Sequence, residues 1–152
     1  MEKEKQQPDF SGFDFKQIPK ANLIKAGIGL FGTIMVMLPW FSFRVSMGPF
    51  GSHSATVSGF SSAFGVFIFL GFLGIAVINV LGEQVFKFKA ELVDKLNLYG
   101  SIGVAALCFI DIIRAFARAG YGGTALPGFG LILAFLSGVA LLLFALKIIK
   151  IK

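Results

Sequence analysis

Residues 59–82 read GFSSAFGVFIFLGFLGIAVINVLG, a run of 24 residues without a charged side chain. Asn79 is the only strongly polar side chain in this run. The hydrocarbon core of a bilayer is about 30 Å thick, and an α-helix needs roughly 20 apolar residues to cross it. The run therefore predicts a transmembrane helix.

Three other apolar runs accompany it, and the composition agrees with a membrane protein. Of the 152 residues, 56% are hydrophobic and 14% are charged, whereas about 25% of the residues in ordinary soluble domains are charged. The sequence thus predicts an all-α membrane protein folded as a four-transmembrane-helix bundle. Its spans are expected at about 22–40, 59–82, 98–118 and 128–147.

The segment before the first span has a different character. Residues 1–20 are polar, mixed in charge and interrupted by Pro8 and Pro19. They predict a flexible cytoplasmic tail ahead of a transmembrane domain over residues 21–152. Because no small-residue cleavage site follows the first apolar run, we expect that run to stay in the membrane as a signal anchor.

Lysine and arginine are distributed unequally between the connections. All eleven lysines lie in the N-terminal tail, in the connection between spans two and three, or at the C-terminus, whereas Arg44, Arg114 and Arg118 lie on the opposite side. Basic residues accumulate on the cytoplasmic side of short loops. We therefore expect a multi-pass protein of the plasma membrane with both termini cytoplasmic. The lysines are expected to meet anionic lipid head groups.

The two connections that follow the first and second spans have contrasting patterns. Apolar and polar residues alternate over 41–47, Gly48-Pro49-Phe50-Gly51 is a turn sequence, and 54–57 can return as a second strand. This predicts a small extracytoplasmic β-hairpin with Trp40, Arg44 and His53 as its contact residues. After the second span, Glu83/Lys87 and Glu91/Lys95 have helical i,i+4 spacing, which predicts continuing helix.

The strongest charged signal inside a span is the cluster of Asp111, Arg114 and Arg118. Spacings of three and seven residues place the three side chains on one face of a helix. An ionised carboxylate in the membrane is costly, so we expect Asp111 to pair with Arg114 one turn away. Two interpretations remain open. In the first, the two charges neutralise each other and fix the outer end of the third span. In the second, Asp111 is a site for a proton or a cation, or a contact point for another subunit.

Small residues recur every four positions on the fourth span. Gly130, Ala134 and Gly138 would let another helix approach closely. The sequence leaves open whether that helix belongs to the same chain or to another copy, and packing inside the chain is favoured because such patterns are common in membrane helices.

Several classes of function lack the residues they need. The net charge is +6, but the basic residues lie beside apolar runs and are not interleaved with aromatic residues that could stack on bases. No nucleic-acid partner is therefore expected. His53 is the only histidine and Cys108 the only cysteine, which excludes a disulfide and a typical zinc site within one chain. The phosphate-binding, dinucleotide-binding and hydrolase motifs are absent. No catalytic residues, metal or cofactor are predicted.

With the spans placed, the layout resembles the claudin-like tetraspan arrangement. The resemblance rests on Leu38-Pro39-Trp40 and on a first outer loop, 41–57, that can form strands. The second tryptophan and the cysteine pair of the claudin loop are missing, so adhesion between cells is not implied. Small bacterial inner-membrane proteins of unknown function are similar, with Ser58-Gly59-Phe60 before the second span and Gly128-Phe129-Gly130 before the fourth. This resemblance implies a fold and a place in the bacterial inner membrane, and no activity.

These observations favour a non-catalytic membrane protein that works by contact. We expect an accessory or scaffold subunit that binds other membrane subunits or copies of itself. Its contacts would be made by helix packing, by the outer hairpin and by the lysine-bearing connection between the second and third spans. The alternative is a small homo-oligomeric transporter or channel that uses Asp111 and Arg114. Four helices enclose little space, so a water-filled path would need several copies.

Overall fold

The computed structural model describes residues 14–46, 48–118 and 124–149. The chain is mostly helical, and its helices and strands follow one another in the order α1 (Lys20–Met37), β1 (Pro39–Ser46), β2 (Ser52–Ser58), α2 (Gly65–Leu81), α3 (Ala90–Arg118), β3 (Thr124–Pro127) and α4 (Phe129–Ala145). The described residues also include three short 3-10 turns, at Phe15–Gln17, Gly48–Phe50 and Gly59–Ser61.

Each helix packs against two others. α1 contacts α2 and α4, and α3 contacts the same two helices, so the four form a ring around a shared core. Small residues let the helices approach closely. The ring of Phe72 on α2 lies over Gly32 of α1, where a Cβ atom would be 2.5 Å from that ring.

The predicted four helices are confirmed, and two of them are long and apolar enough to cross a membrane. These are α1 and residues 90–117 of α3. The other two, α2 and α4, are apolar helices of 17 residues each.

The helix boundaries differ from the predicted spans on either side of α2. α2 begins at Gly65 instead of residue 59, because Gly59–Ser61 form a 3-10 turn that connects it to β2. α3 begins at Ala90, well before residue 98. The predicted helix across residues 83–89 is wrong, because the chain turns there and Lys87 adopts a positive φ of 51°.

The described end of the predicted tail is attached to the fold. Residues 1–13 of that tail lie outside the described part of the chain. Asp14 exchanges two hydrogen bonds with Gln84: its N–H donates to Oε1 at 3.1 Å, and its carbonyl accepts from Nε2 at 3.0 Å. Ile18 is buried. The prediction of a flexible tail therefore does not hold for its described part, residues 14–20.

A three-stranded antiparallel sheet caps one end of the helix ring, in the order β2-β1-β3. β1 and β2 form the predicted hairpin, with Phe43 opposite Ala55 and Arg44 opposite Ser54. The third strand, β3, was not predicted, and it pairs Phe41 with Pro127. We call this the sheet end of the bundle and the opposite end, where the described lysines lie, the lysine end.

Trp40 lies where α1, the sheet and α4 meet, and its side chain is 0% exposed. The indole Nε1–H donates a hydrogen bond to the Met35 carbonyl at 3.0 Å. Glycines surround the ring: a Cβ atom at Gly59 would lie 2.6 Å from Cε2, and one at Gly130 would lie 3.0 Å from Cδ1. The sheet is thereby held directly on the helix ends.

We expect Gly130→Ala to lower the free energy of unfolding by about 1–3 kcal/mol, the usual cost of overpacking. Its new methyl would lie 2.7 Å from the Met35 carbonyl oxygen and 2.9 Å from Leu38 Cβ. Thermal unfolding followed by the fluorescence of Trp40, the only tryptophan, measures the change. Gly74→Ala on α2 is the control, because no atom beyond its own stretch of helix lies within 4 Å of its Cβ position. Equal melting temperatures for the two variants would contradict this packing.

Candidate functional site

The carboxylate of Asp111 is the most deeply buried charged group in the described part of the chain. The residue is 1% exposed and lies on the face of α3 that packs against the other helices. The Ser62 hydroxyl donates a hydrogen bond to Oδ2, and Oδ1 lies 3.7 Å from an Nη atom of Arg114. The two carboxylate oxygens therefore have different partners.

Ser62 reaches Asp111 because of the way the chain enters α2. The 3-10 turn at Gly59–Ser61 ends the path from β2, and the Ser62 N–H donates to the Gly59 carbonyl at 2.9 Å. The Ser62 hydroxyl also accepts a hydrogen bond from the Phe64 N–H at 3.3 Å. Serine is suited to this position, because its hydroxyl can satisfy a free N–H group at the start of a helix while donating elsewhere.

Arg114 is held one helical turn beyond Asp111. Its guanidinium carbon lies 5.3 Å from the centroid of the Phe64 ring, within the range of a cation–π contact. The side chain is 40% exposed. Asp111 and Phe64 therefore restrict the position of the guanidinium group, while part of it still faces open space.

That open space is a cleft of about 500 Å³ between the sheet and the end of α3. One wall is apolar, the opposite wall is polar, and the lining residues are Phe41, Phe43, Val57, Ser61, Ser62, Ala63, Asp111 and Arg114. We call it the Arg114 cleft. Its size falls within the range of roughly 300–1,000 Å³ that is typical of pockets for small ligands.

The other residue of the predicted charge cluster is Arg118, the last residue of α3. Its side chain lies outside the described part of the structure. The structure thus brings together Asp111 and Arg114 and adds Ser62 to them.

The three residues predicted as outer contacts lie in two different environments. Arg44 on β1 and His53 on β2 are exposed. The role predicted for Trp40 is corrected, because a side chain with 0% exposure cannot contact a partner. A tryptophan after a proline at the end of a span is expected at the membrane interface. Here glycines that are distant in the sequence, Gly59 and Gly130, lie against the ring instead.

The predicted packing residues lie at contacts within the chain. Gly130 faces the end of α1, and Ala134 is fully buried. At Gly138 a Cβ atom would lie 3.2 Å from the Cα atom of Ala105 on α3. This stripe is therefore occupied by neighbouring helices of the same chain.

Sequence reasoning missed a buried amide pair. The amides of Asn79 on α2 and Asn97 on α3 exchange two hydrogen bonds, of 2.7 and 3.0 Å. A third hydrogen bond joins the Asn79 amide to the Ile75 carbonyl at 2.8 Å. The polarity of Asn79 within an apolar run was a signal, but its partner could not be identified from spacing, because it lies on another helix.

It also missed a charged cluster at the lysine end. Asp94 on α3 lies 3.9 Å from Lys25 on α1 and 3.4 Å from Lys147, just after α4. Lys25 is buried, whereas Lys147 is exposed. Three helices are thus joined at this end by one carboxylate.

Within the described ranges, no group of three or more His, Cys, Asp or Glu side chains could hold a metal ion. Comparisons with protein-family models, with curated proteins and with solved structures found no match.

We expect Asp111→Leu to destabilise the fold by about 1–3 kcal/mol, because it leaves the partly buried Ser62 hydroxyl without its acceptor and removes the charge that faces the Arg114 guanidinium. Asp111→Asn should cost less, since the amide oxygen can still accept from Ser62. Thermal unfolding by Trp40 fluorescence compares the two variants. Glu91→Gln is the control, because Glu91 forms an exposed 2.7 Å pair with Lys95 on the same helix and should change the melting temperature little. An Asp111→Leu variant as stable as the parent would exclude this role.

Proposed function

We propose that the chain is a four-span membrane protein that acts as a non-catalytic accessory or scaffold subunit. The observation that carries this proposal is the distribution of side chains on the four helices. Large apolar residues cover the outside of every helix, among them Leu30, Ile34, Phe67, Leu70, Phe109, Phe116, Phe129 and Leu136. Water would be a poor solvent for such a surface, and lipid a good one.

The interior has the complementary composition. Asn79, Asn97, Ser101, Asp111 and Ser137 are all buried. In the described part of the chain, no buried side-chain nitrogen or oxygen lacks a hydrogen-bond partner. Polar groups that face inwards and are hydrogen-bonded within the protein are typical of helices that pack within a membrane.

The lengths of the shorter helices are compatible with crossing. α2 and α4 have 17 residues each, which gives a rise of about 26 Å against a hydrocarbon core of about 30 Å. The apolar residues that flank them, including the exposed Phe60 before α2 and Leu146 after α4, extend the apolar stretch. A small local thinning of the bilayer accommodates the rest.

The charges support an orientation with both termini in the cytoplasm. Lys20, Lys25, Lys87, Lys95 and Lys147 belong to the lysine end, whereas Arg44 and Arg114 belong to the sheet end. The lysine end would then face the anionic cytoplasmic leaflet. The sheet would project from the extracytoplasmic face of the bacterial inner membrane.

The subunit role is supported by the exposed sheet. β2 is an edge strand, and its residues Ser52 to Thr56 are exposed. The turn between β1 and β2 carries Phe50, which is 90% exposed. An unpaired edge beside an exposed aromatic residue is a surface on which another chain can add a strand.

The transporter alternative draws its support from Asp111 and the Arg114 cleft. The side chains between the cleft and the lysine end give the transporter alternative less support. Ser101 and Ser137 donate to carbonyls of their own helices, and Val104 and Cys108 lie buried between Ser101 and Asp111. A proton or ion path needs a series of polar groups, and the described interior holds separate, locally satisfied ones.

The orientation can be tested with single cysteines, since Cys108 is the only native one. In a Cys108→Ala background, we expect a membrane-impermeant maleimide to label Phe50→Cys in intact spheroplasts. The same reagent should label Lys87→Cys only after the membrane is permeabilised, because the lysine end would face the cytoplasm. Labelling of Lys87→Cys but not of Phe50→Cys in intact spheroplasts would reverse the orientation, and equal labelling of both sites there would contradict the four-span topology.

The subunit role predicts a particle larger than one chain. Mass measurement of the complex, purified in mild detergent, should find a second copy or a second protein. Ala55→Glu on the exposed edge strand should release it, because the new carboxylate would be buried in the contact. Ala55→Ser is the matched control and should leave the mass unchanged. A monomeric parent that purifies alone would contradict the role.

A further inference from the structure

We propose that the Arg114 cleft binds an amphiphile with an anionic head, a phosphate or a carboxylate joined to an apolar chain. The guanidinium group of Arg114 would hold the head, and the apolar wall would hold the first part of the chain. This site stands on the geometry of the cleft and does not depend on the proposed subunit role.

Arg114 is the charged group that a ligand can reach. Its side chain is 40% exposed and lines the cleft, whereas Asp111 is 1% exposed. The separation of 3.7 Å from the Asp111 carboxylate is longer than a hydrogen bond, so within the described part of the chain the guanidinium N–H groups are not used by that carboxylate. A guanidinium group presents its donors as a planar fork that matches a phosphate or carboxylate.

The neighbours of Arg114 fix its position without occupying its donors. Asp111 attracts it from one side, and the Phe64 ring lies 5.3 Å from its central carbon on another. Because the side chain is already restricted, binding an anion there loses less conformational entropy than binding at a mobile surface arginine.

The opposite wall accounts for the apolar part of the ligand. Phe41, Phe43 and Val57 line it, and the first two belong to β1 while the third belongs to β2. The residues before α2 and the last turns of α3 form the polar wall. A volume of about 500 Å³ accommodates a head group and several methylene groups, but a free inorganic ion would leave most of it unfilled.

A cation fits the same cleft poorly. The Asp111 carboxylate already accepts from Ser62 and faces Arg114. A bound cation would have to displace these partners and lie beside the guanidinium charge. Binding of an anion and binding of a cation would respond in different ways to replacement of Arg114 or Asp111 by a neutral residue, so variants can distinguish them.

The test uses the full-length chain in a neutral maltoside detergent, with binding measured by native mass spectrometry. Dioctanoyl phosphatidic acid is the main probe, and we expect saturable binding of one molecule per chain. Dioctanoylglycerol has the same chains without the phosphate, and inorganic phosphate lacks the chains, so each should bind at least about tenfold more weakly. Octanoate shows whether a carboxylate head is also accepted. Equal binding of dioctanoylglycerol would overturn the proposal, and tighter binding of inorganic phosphate would replace it with a site for the free ion.

Variants of the polar wall provide the second arm. Arg114→Gln should weaken binding of the phosphatidic acid about tenfold or more, and Arg114→Lys should retain part of it. Arg44→Gln is the matched control, since Arg44 is exposed on the same sheet and lies outside the cleft lining. Asp111→Asn should weaken binding much less than Arg114→Gln, because it removes a competing negative charge together with the attraction that positions the guanidinium group. Loss of binding in Asp111→Asn together with unchanged or tighter binding in Arg114→Gln would overturn the proposal in favour of a cation site.

A variant at the cleft mouth keeps the test decisive if Arg114→Gln fails to fold. Ser61 is exposed and lines the cleft, so Ser61→Glu adds a carboxylate there without disturbing the core. It should weaken binding of the anionic probe about tenfold, whereas Ser54→Glu, at an exposed position of β2 outside the cleft, should not. Trp40 fluorescence verifies that each variant is folded. Equal affinities for Ser61→Glu and Ser54→Glu would exclude the cleft as the site.

Discussion

The packing of Trp40 is the contact on which the rest of the structure depends. Its indole donates to the carbonyl of Met35 at 3.0 Å, and its own carbonyl accepts from the Gly128 N–H at 2.6 Å. Gly59, before α2, and Gly130, in α4, leave room for the ring. One side chain therefore joins the ends of three helices to the central strand of the sheet. Because β1 is fixed there, its phenylalanines come to lie opposite the end of α3, and the cleft forms between them.

Polar pairs and close backbone approach join the helices of the interior, beside a core of buried apolar side chains. The Asn79–Asn97 pair joins α2 to α3, and Gly138 lets α4 approach Ala105 on α3. Between helices in a bilayer the hydrophobic effect contributes little, because lipid tails are as apolar as leucine, so hydrogen bonds and van der Waals packing carry the association. The arrangement of this interior suits the membrane setting that we propose.

The sequence allowed the four helices and the β1–β2 hairpin to be predicted, because the apolar runs and the alternation over 41–47 are local patterns. It did not reveal β3, since the four residues of Thr124–Pro127 are too few to show a period. Helical spacing correctly predicted that Asp111 pairs with Arg114. Ser62 could not be predicted as a partner, because it lies 49 positions away and contacts Asp111 only through the packing of α2 against α3. The burial of Trp40 was missed for the same reason. Contacts between distant segments leave no periodic signal.

The presence of a buried carboxylate near the end of α3 is not explained by stability alone. Replacing a buried ion pair by well-packed apolar residues is often neutral or stabilising, because two charges must be desolvated to form the pair. Arg114 is only partly buried, and a single contact of 3.7 Å with Asp111 is a loose pair. If the pair served only to join α3 to α2, the Ser62 hydroxyl and an uncharged partner would be sufficient. What Asp111 achieves in addition is to hold a guanidinium group, still 40% exposed, opposite Phe41 and Phe43. The geometry thus favours a role for the pair in presenting a positive charge to the cleft.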